Sequence, residues 1–267
     1  MSEGVTPDSL LAEERRVRGR GALLAGSVIA VCLAALWMTG FFDAQRLAEG
    51  GPAIAQLASE MVPPDFSRWE RWVRPLLDTL AMSIAGTAFA VVFSLPLALL
   101  AAPNTTPNRV AYQVARLVLS ALRAVPEIIM GVLFVAAVGF GALPGVLALG
   151  LHSVGMVGKF YAEAIEHVDP KPVEAARAAG CGPMGVILHA VLPQVLPQLA
   201  DITIYRWEYH FRNATVLGIV GAGGIGFELM AALRLLAYDQ VSAILITILA
   251  CVVVVDGIGA ALRKTLK

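Results

Sequence analysis

Arg206, Glu208, His210 and Arg212 stand two residues apart along one otherwise apolar stretch. On a helix, Arg206 and His210 share one face, while Glu208 and Arg212 share nearly the opposite one. Glu208 and Arg212 could pair with each other, leaving Arg206 and His210 to present positive charge to an aqueous path. Two further sets have similar character. Arg123 and Glu127 are four apart, with Pro126 distorting the turn between them, and His152 and Lys159 are seven apart and hence on one face. A planar guanidinium fork matches phosphate-like oxygens, so a cavity gathering these groups would suit a small oxyanion. The structural alternative for any one of them is that it ties helices together or snorkels to an interface.

Other chemistry is excluded or weakly signalled. Gly221, Gly223, Gly224 and Gly226 form a literal GxGxxG after the strand-like TVLGIV, with Asp239 farther on. That fingerprint binds dinucleotides only inside a βαβ unit, and its neighbours here are apolar spans. A hinge or gate on a transport route fits better, since irregular backbone at membrane depth is tolerated where it is buried or lines a cavity. No GxSxG elbow or HExxH helix occurs, and Ser153 beside His152 has no supporting acid at useful spacing. Cys32, Cys181 and Cys251 are far apart and odd in number, which argues against a disulfide scaffold and a metal site. The formal net charge of zero gives no field that would draw nucleic acid.

The elements that position these groups follow from composition. The 267 residues are 58% hydrophobic and only 15% charged, against about 25% charged in an average soluble domain. Too few charges remain to cover a water-facing surface, so the chain is expected to be an all-α, polytopic protein of the lipid bilayer. A crossing helix needs about 20 apolar residues. Gly21–Phe42, Pro75–Ala102, two spans within Val125–Tyr161 separated by the turn at Gly139–Gly145, a fifth span from about Val195 and a sixth at Gln240–Leu262 meet this need.

Arg15, Arg16, Arg18 and Arg20 precede the first span, and Arg263, Lys264 and Lys267 follow the last. The positive-inside rule then puts both termini in the cytoplasm, which agrees with six spans. The expected organisation is a cytoplasmic tail at 1–20, a first transmembrane helix at 21–42, a periplasmic amphipathic segment at 43–74, a core at 75–262 and a cytoplasmic tail at 263–267. In the 43–74 segment, Arg68, Arg71 and Arg74 alternate with Trp69 and Trp72, as suits an outer interface. The first apolar run is too long for a cleaved signal, and no A-x-A-like site follows Phe42, so it reads as an anchor.

Residues 167–192 read HVDPKPVEAARAAGCGPMGVILHAVL and face the cytoplasm in this topology. Asp169 is a helix N-cap with Pro170 in the first turn. The helix through EAARAA ends at Gly180, and Gly182-Pro183 opens a second helix, which Pro193 is expected to interrupt. Glu174-Ala175-Ala176, Gly180 and Leu192-Pro193 resemble the EAA loop of ABC importer permeases, spaced EAA-x3-G-x9-I-x-L-P, with Ala190 at the isoleucine position. Arg123-Ala-Val-Pro126 resembles the Arg-x-x-Pro element of the methionine-type permease fold. Arg206 to Leu229, RWEYHFRNATVLGIVGAGGIGFEL, is similar to the permeases of phosphonate importers, with His210 where that family has Asn.

The resemblance implies a type I ABC importer permease in the bacterial inner membrane, with a second permease copy and two ATP-binding cassette subunits. A periplasmic phosphonate- or phosphite-binding protein would deliver the substrate. ATP and magnesium would be bound by the ATPase partner, leaving no cofactor on this chain, which would itself be no enzyme. The EAA helix would dock on the ATPase, with Glu174 as polar contact or cap and Gly180 providing the turn. Competing readings are a permease for methionine or another small polar solute, an ion-coupled secondary transporter, and a membrane hydrolase.

Overall fold

The computed structural model describes residues 7–265; Lys267 and the tip of the N-terminal tail lie outside them, as does the Arg15 side chain. All regular elements among the described residues are helical. The chain forms two units, residues 1–59 and 60–267.

The first unit contains α1, Pro7–Met38, and nearly all of α2, Ala44–Glu60. The apolar part of α1, Arg18–Met38, is long enough to cross a bilayer. Gly40, at φ +74°, ends it before Phe42. There Gly40 N–H bonds to Trp37 O (3.0 Å) and Phe41 N–H to Leu36 O (3.1 Å), satisfying carbonyls that a longer helix would have used. The expected span to Phe42 is therefore four residues too long. Asp43 then caps α2 by accepting from the Gln45 and Arg46 amides at 3.1 and 3.2 Å.

The second unit is built around α3, Trp69–Ala101, and α6, Ala142–Glu166. Glycines let their backbones approach: Gly86 lies against Leu149, and Gly150 against Phe89. Helix α3 begins six residues before Pro75, so the sequence boundary was late. Trp72 also departs from the interfacial reading. It is 3% exposed and packs with Ile225, Leu229 and Val241, whereas Trp69 is 58% exposed.

Helix α4 (Arg109–Ala124), capped by Asn108 accepting from Ala111 N–H at 2.8 Å, meets α5 (Glu127–Val138) at an 84° bend. The third span expected from Val125 corresponds to α5, which is too short to cross alone and continues from α4. Pro126 holds Val125 extended, at ψ 122°, and so ends α4. Twelve residues of α5 rise only about 18 Å, short of the ~30 Å hydrocarbon core. Arg123 and Glu127 consequently lie on different helices. Positive-φ Gly139 and Gly141 form a turn into α6, shorter than expected because Ala142–Gly145 are already helical.

Farther on, α7 (Pro170–Ala178) and α8 (Pro183–Val186) form the hairpin. Instead of breaking at Pro193, the chain passes through a π turn, Ile187–Val191, into α9, Leu192–Leu217. The wider turn, in which Leu192 N–H reaches Ile187 O, makes room for a proline ring that would otherwise meet a carbonyl four residues back. A second π turn, Gly218–Ala222, precedes α10 (Ile225–Arg234) and α11 (Tyr238–Thr265). Thus TVLGIV is helical, and the GxGxxG motif lacks its strand. Among the described residues, five helices are long and apolar enough to cross a membrane, and the bent α4–α5 pair would make a sixth.

Candidate functional site

The 167–192 hairpin is held by three local devices. Asp169 accepts from Lys171 N–H at 3.0 Å, starting α7. At its end, Gly180 takes φ +83°, while the Gly180 and Cys181 amides bond to Arg177 O (3.0 Å) and Ala176 O (3.1 Å). Gln194 supplies the third. Its Oε1 accepts from Asp169 N–H at 2.9 Å and its Nε2 donates to Ala190 O at 2.6 Å, fastening α7 to the start of α9. Nothing in the sequence pattern marked Gln194. Ala176 and Leu192 pack inward with Cys181, while Glu174, Ala175, Gly180 and Pro193 are exposed. The result is a narrow helical edge with small side chains and a single acid, fixed at both ends.

Inside the helical core, α3, α5, α6 and α9 converge on a polar cluster. Thr87 donates its hydroxyl to Ser83 O at 2.7 Å, so toward His210 Nδ1, also at 2.7 Å, it can only accept. That places a proton on Nδ1 and makes Nε2 the acceptor from Ser153 Oγ at 2.5 Å. Ser153 in turn accepts from Arg206 Nε at 2.7 Å. Hydrogen bonds therefore run in one direction, from Arg206 through Ser153, His210 and Thr87 to the α3 backbone. The Arg206 guanidinium also lies 4.1 Å from the Tyr209 ring centroid.

Arg206 is 5% exposed, His210 0% and Glu127 9%. Glu127 Oε2 accepts from Asn213 Nδ2 at 2.8 Å. His152, half-buried, donates from Nδ1 to Val125 O at 3.2 Å and lies close enough to feel the Arg206 charge. Glu127 Oε1 and Arg206 Nη2 are buried without hydrogen-bond partners.

The sequence-selected charges thus divide. Glu127, His152, Arg206 and His210 come together. Arg123 instead bonds to Leu119 O and Ser120 Oγ, and Lys159 pairs with Glu163 at 3.4 Å. The expected Glu208–Arg212 pair does not form. Arg212 reaches both oxygens of Asp256 at 2.8 and 3.0 Å, and Glu208 meets Arg263 at 2.8 Å, both partners lying on α11. Packing of α9 against α11 overrides the short-range pairing, and Gly259 leaves the space that the Glu208 carboxylate occupies.

Asp256 and Gly259 were missed because both partners are remote in sequence. Thr87 and Ser83 carried a readable signal: Thr79, Ser83 and Thr87, each four residues from the next, form a polar stripe on an apolar span. Arg263 was assigned to a tail, yet it lies within α11.

Because Glu208 is only 7% exposed and Arg263 29%, Arg263→Ala should cost about 2–3 kcal/mol, below the ~3–5 kcal/mol of a fully buried broken pair. Thermal unfolding in detergent should show this loss, and adding Glu208→Gln should recover most of it. Equal stability of Arg263→Ala and the unchanged protein would sink the assignment.

The glycine stretch is a packed break in the helix. Gly221, Gly223 and Gly224 have φ of +101°, +75° and +71°. Gly221 O accepts from Gly141 N–H at 3.3 Å, and Ile225 N–H donates to Thr79 Oγ1 at 2.9 Å. Gly226 lies so near the Thr215 carbonyl that no side chain fits.

Comparison with known proteins adds to this geometry. Residues 94–267 match the family described as the inner membrane component of binding-protein-dependent transport systems. A phosphite transport system permease protein of Stutzerimonas stutzeri is 64% identical over 252 residues, covering 94% of this chain and 90% of that protein. The phosphate-import permease of Mycolicibacterium smegmatis is 44% identical, covering 84% of this chain and 42% of its own length. Among solved structures, a methionine ABC transporter in an inward-facing conformation aligns with a TM-score of 0.64 at 20% identity, covering 73% of this chain and 96% of that one. At that identity the likeness concerns the fold.

Proposed function

The chain belongs to the family of inner membrane components of binding-protein-dependent transport systems, and from that premise we propose that it is the permease subunit of an ATP-driven importer for phosphite or a phosphonate. The observation that carries the substrate class is the 64% identity, over nearly the whole chain, to a phosphite transport permease. The buried Arg206 cluster supports the same class, because a guanidinium with a free N–H suits an oxyanion better than a neutral solute.

In this reading two copies form the pathway across the inner membrane, with both termini cytoplasmic. Two ATP-binding subunits, which hold ATP and magnesium, receive the Glu174-Ala175-Ala176 helix of α7, and a periplasmic binding protein delivers the anion. The stiff Gly180 turn and the Gln194 tie let motion of α7 reach α9, which carries Arg206 and leads to Gly221, Gly223, Gly224 and Gly226 as the hinge. Glu127, His152 and His210 line the Arg206 region. Arg123 and Lys159 are assigned to its approaches, while Glu208 and Arg212, ion-paired to α11, brace the helix that carries Arg206.

The test is uptake by cells expressing the chain with its ATPase and binding protein. Radiolabelled phosphite or methylphosphonate should enter, and competition by excess methionine should have no effect. Entry of methionine alone would keep the family and overturn the substrate.

A further inference from the structure

Two buried atoms of opposite character face the same polar cluster without satisfying each other. Arg206 Nη2 is a donor and Glu127 Oε1 an acceptor, and neither has a hydrogen-bond partner. Their charges attract, yet they form no contact ion pair. Each is fixed from behind: Arg206 Nε by Ser153 at 2.7 Å, itself set by His210, and Glu127 Oε2 by Asn213 at 2.8 Å. Such groups are costly to bury unsatisfied, so an arrangement that holds both in place calls for a ligand to complete it.

We propose that Glu127 and Arg206 together select a singly protonated phosphorus oxyanion, Arg206 donating to a terminal P–O oxygen and Glu127 accepting from the P–OH. This rests on the oxyanion reading above and adds the basis of its specificity. Hydrogen phosphite and hydrogen methylphosphonate each carry one P–OH donor beside acceptor oxygens. Sulfate carries acceptors alone, so it would place an oxygen against the Glu127 carboxyl oxygen with no hydrogen between them. A site built to receive a substrate hydroxyl strongly rejects an analogue lacking it, because the buried partner is left unpaired. Both residues are sealed here, so the anion gains access when α5 parts from α9.

The test uses the full-length chain in lipid nanodiscs and phosphorus NMR line broadening of phosphite, which reads binding to the permease itself. In the unchanged protein, about tenfold excess sulfate should leave the broadening intact, whereas for Glu127→Gln roughly equimolar sulfate should remove about half of it. Arg206→Gln should show none. Should Glu127→Gln fail to fold, Glu127→Asp keeps the acceptor one methylene farther back; it should bind phosphite about tenfold more weakly, the loss of one charge-assisted hydrogen bond, and still refuse sulfate.

Equal displacement by sulfate in the unchanged protein and Glu127→Gln overturns the proposal, as do broadening by Arg206→Gln, sulfate binding by Glu127→Asp, or no broadening by the unchanged protein. Failure of the substrate reading is read separately, as absence of phosphite and phosphonate uptake by cells carrying the complete importer.

Discussion

Glu174→Arg is expected to lower phosphite uptake at least about tenfold while the amount of chain in the membrane stays unchanged. Glu174 is exposed on α7 and its side chain makes no hydrogen bond or ion pair with a described residue, so the exchange should alter stability by no more than about 0.5 kcal/mol. Its effect must then arise at a partner surface, where setting like charges against each other costs several kcal/mol. Gly180 tests the same edge through the backbone. At φ +83° an alanine costs about 1–2 kcal/mol, whereas proline cannot reach that conformation and also removes the N–H that bonds to Arg177 O. Uptake should therefore fall in the order Gly180→Ala, then Gly180→Pro. In the reconstituted importer, Glu174→Arg should hydrolyse ATP without a response to loaded binding protein. Unimpaired uptake by Glu174→Arg and Gly180→Pro would remove α7 from the coupling role.

The α7 hairpin was readable because its determinants are local. Asp169 and Pro170 start a helix and Gly180 ends one within a dozen residues. The same locality explains the turn at Gly139–Gly141. Errors arose where the outcome depended on something distant or on a backbone compromise. Pro193 carries a strong helix-breaking signal, but a π turn absorbs it and keeps Pro183–Ala222 continuous. The apolar run after Val125 resembled a span of its own, but α5 holds only twelve residues, and hydropathy does not register that α4 joins it across an 84° bend.

Within the membrane core, helical spacing placed Arg206 and His210 on one face, and both indeed contact Ser153. Spacing alone could not find Ser153, because 53 residues separate it from Arg206. The opposite face shows the converse failure. Glu208 and Arg212 are four apart and opposite in charge, yet each is claimed by α11, through Arg263 and Asp256. A short-range pair is worth only about 0.2–0.5 kcal/mol, too little to resist interhelical contacts. Buried charge in this sequence thus marks where helices meet, and the meeting partner comes from tertiary packing.

Arg206→Ala carries the other large expectation: uptake falls by roughly a hundredfold, matching loss of a charge-assisted hydrogen bond worth about 1.5–3 kcal/mol. Folding should survive, since Arg206 forms no contact ion pair and its removal leaves Ser153 bonded to His210. Arg206→Lys separates charge from geometry. An ammonium keeps the positive charge but lacks the planar fork that spans Ser153 and the anion at once, so an intermediate loss of about tenfold is expected. Arg212→Ala serves as the internal control. Asp256 neutralises Arg212, and the pair is about half exposed, so uptake should stay within about twofold, as for a weak surface pair. Initial rates of labelled phosphite uptake, normalised to chain in the membrane, measure all three. Normal rates for Arg206→Ala would take the buried cluster off the transport route. A loss with Arg212→Ala equal to that with Arg206→Ala would show a general response to lost positive charge, with no special place for the guanidinium fixed by Ser153.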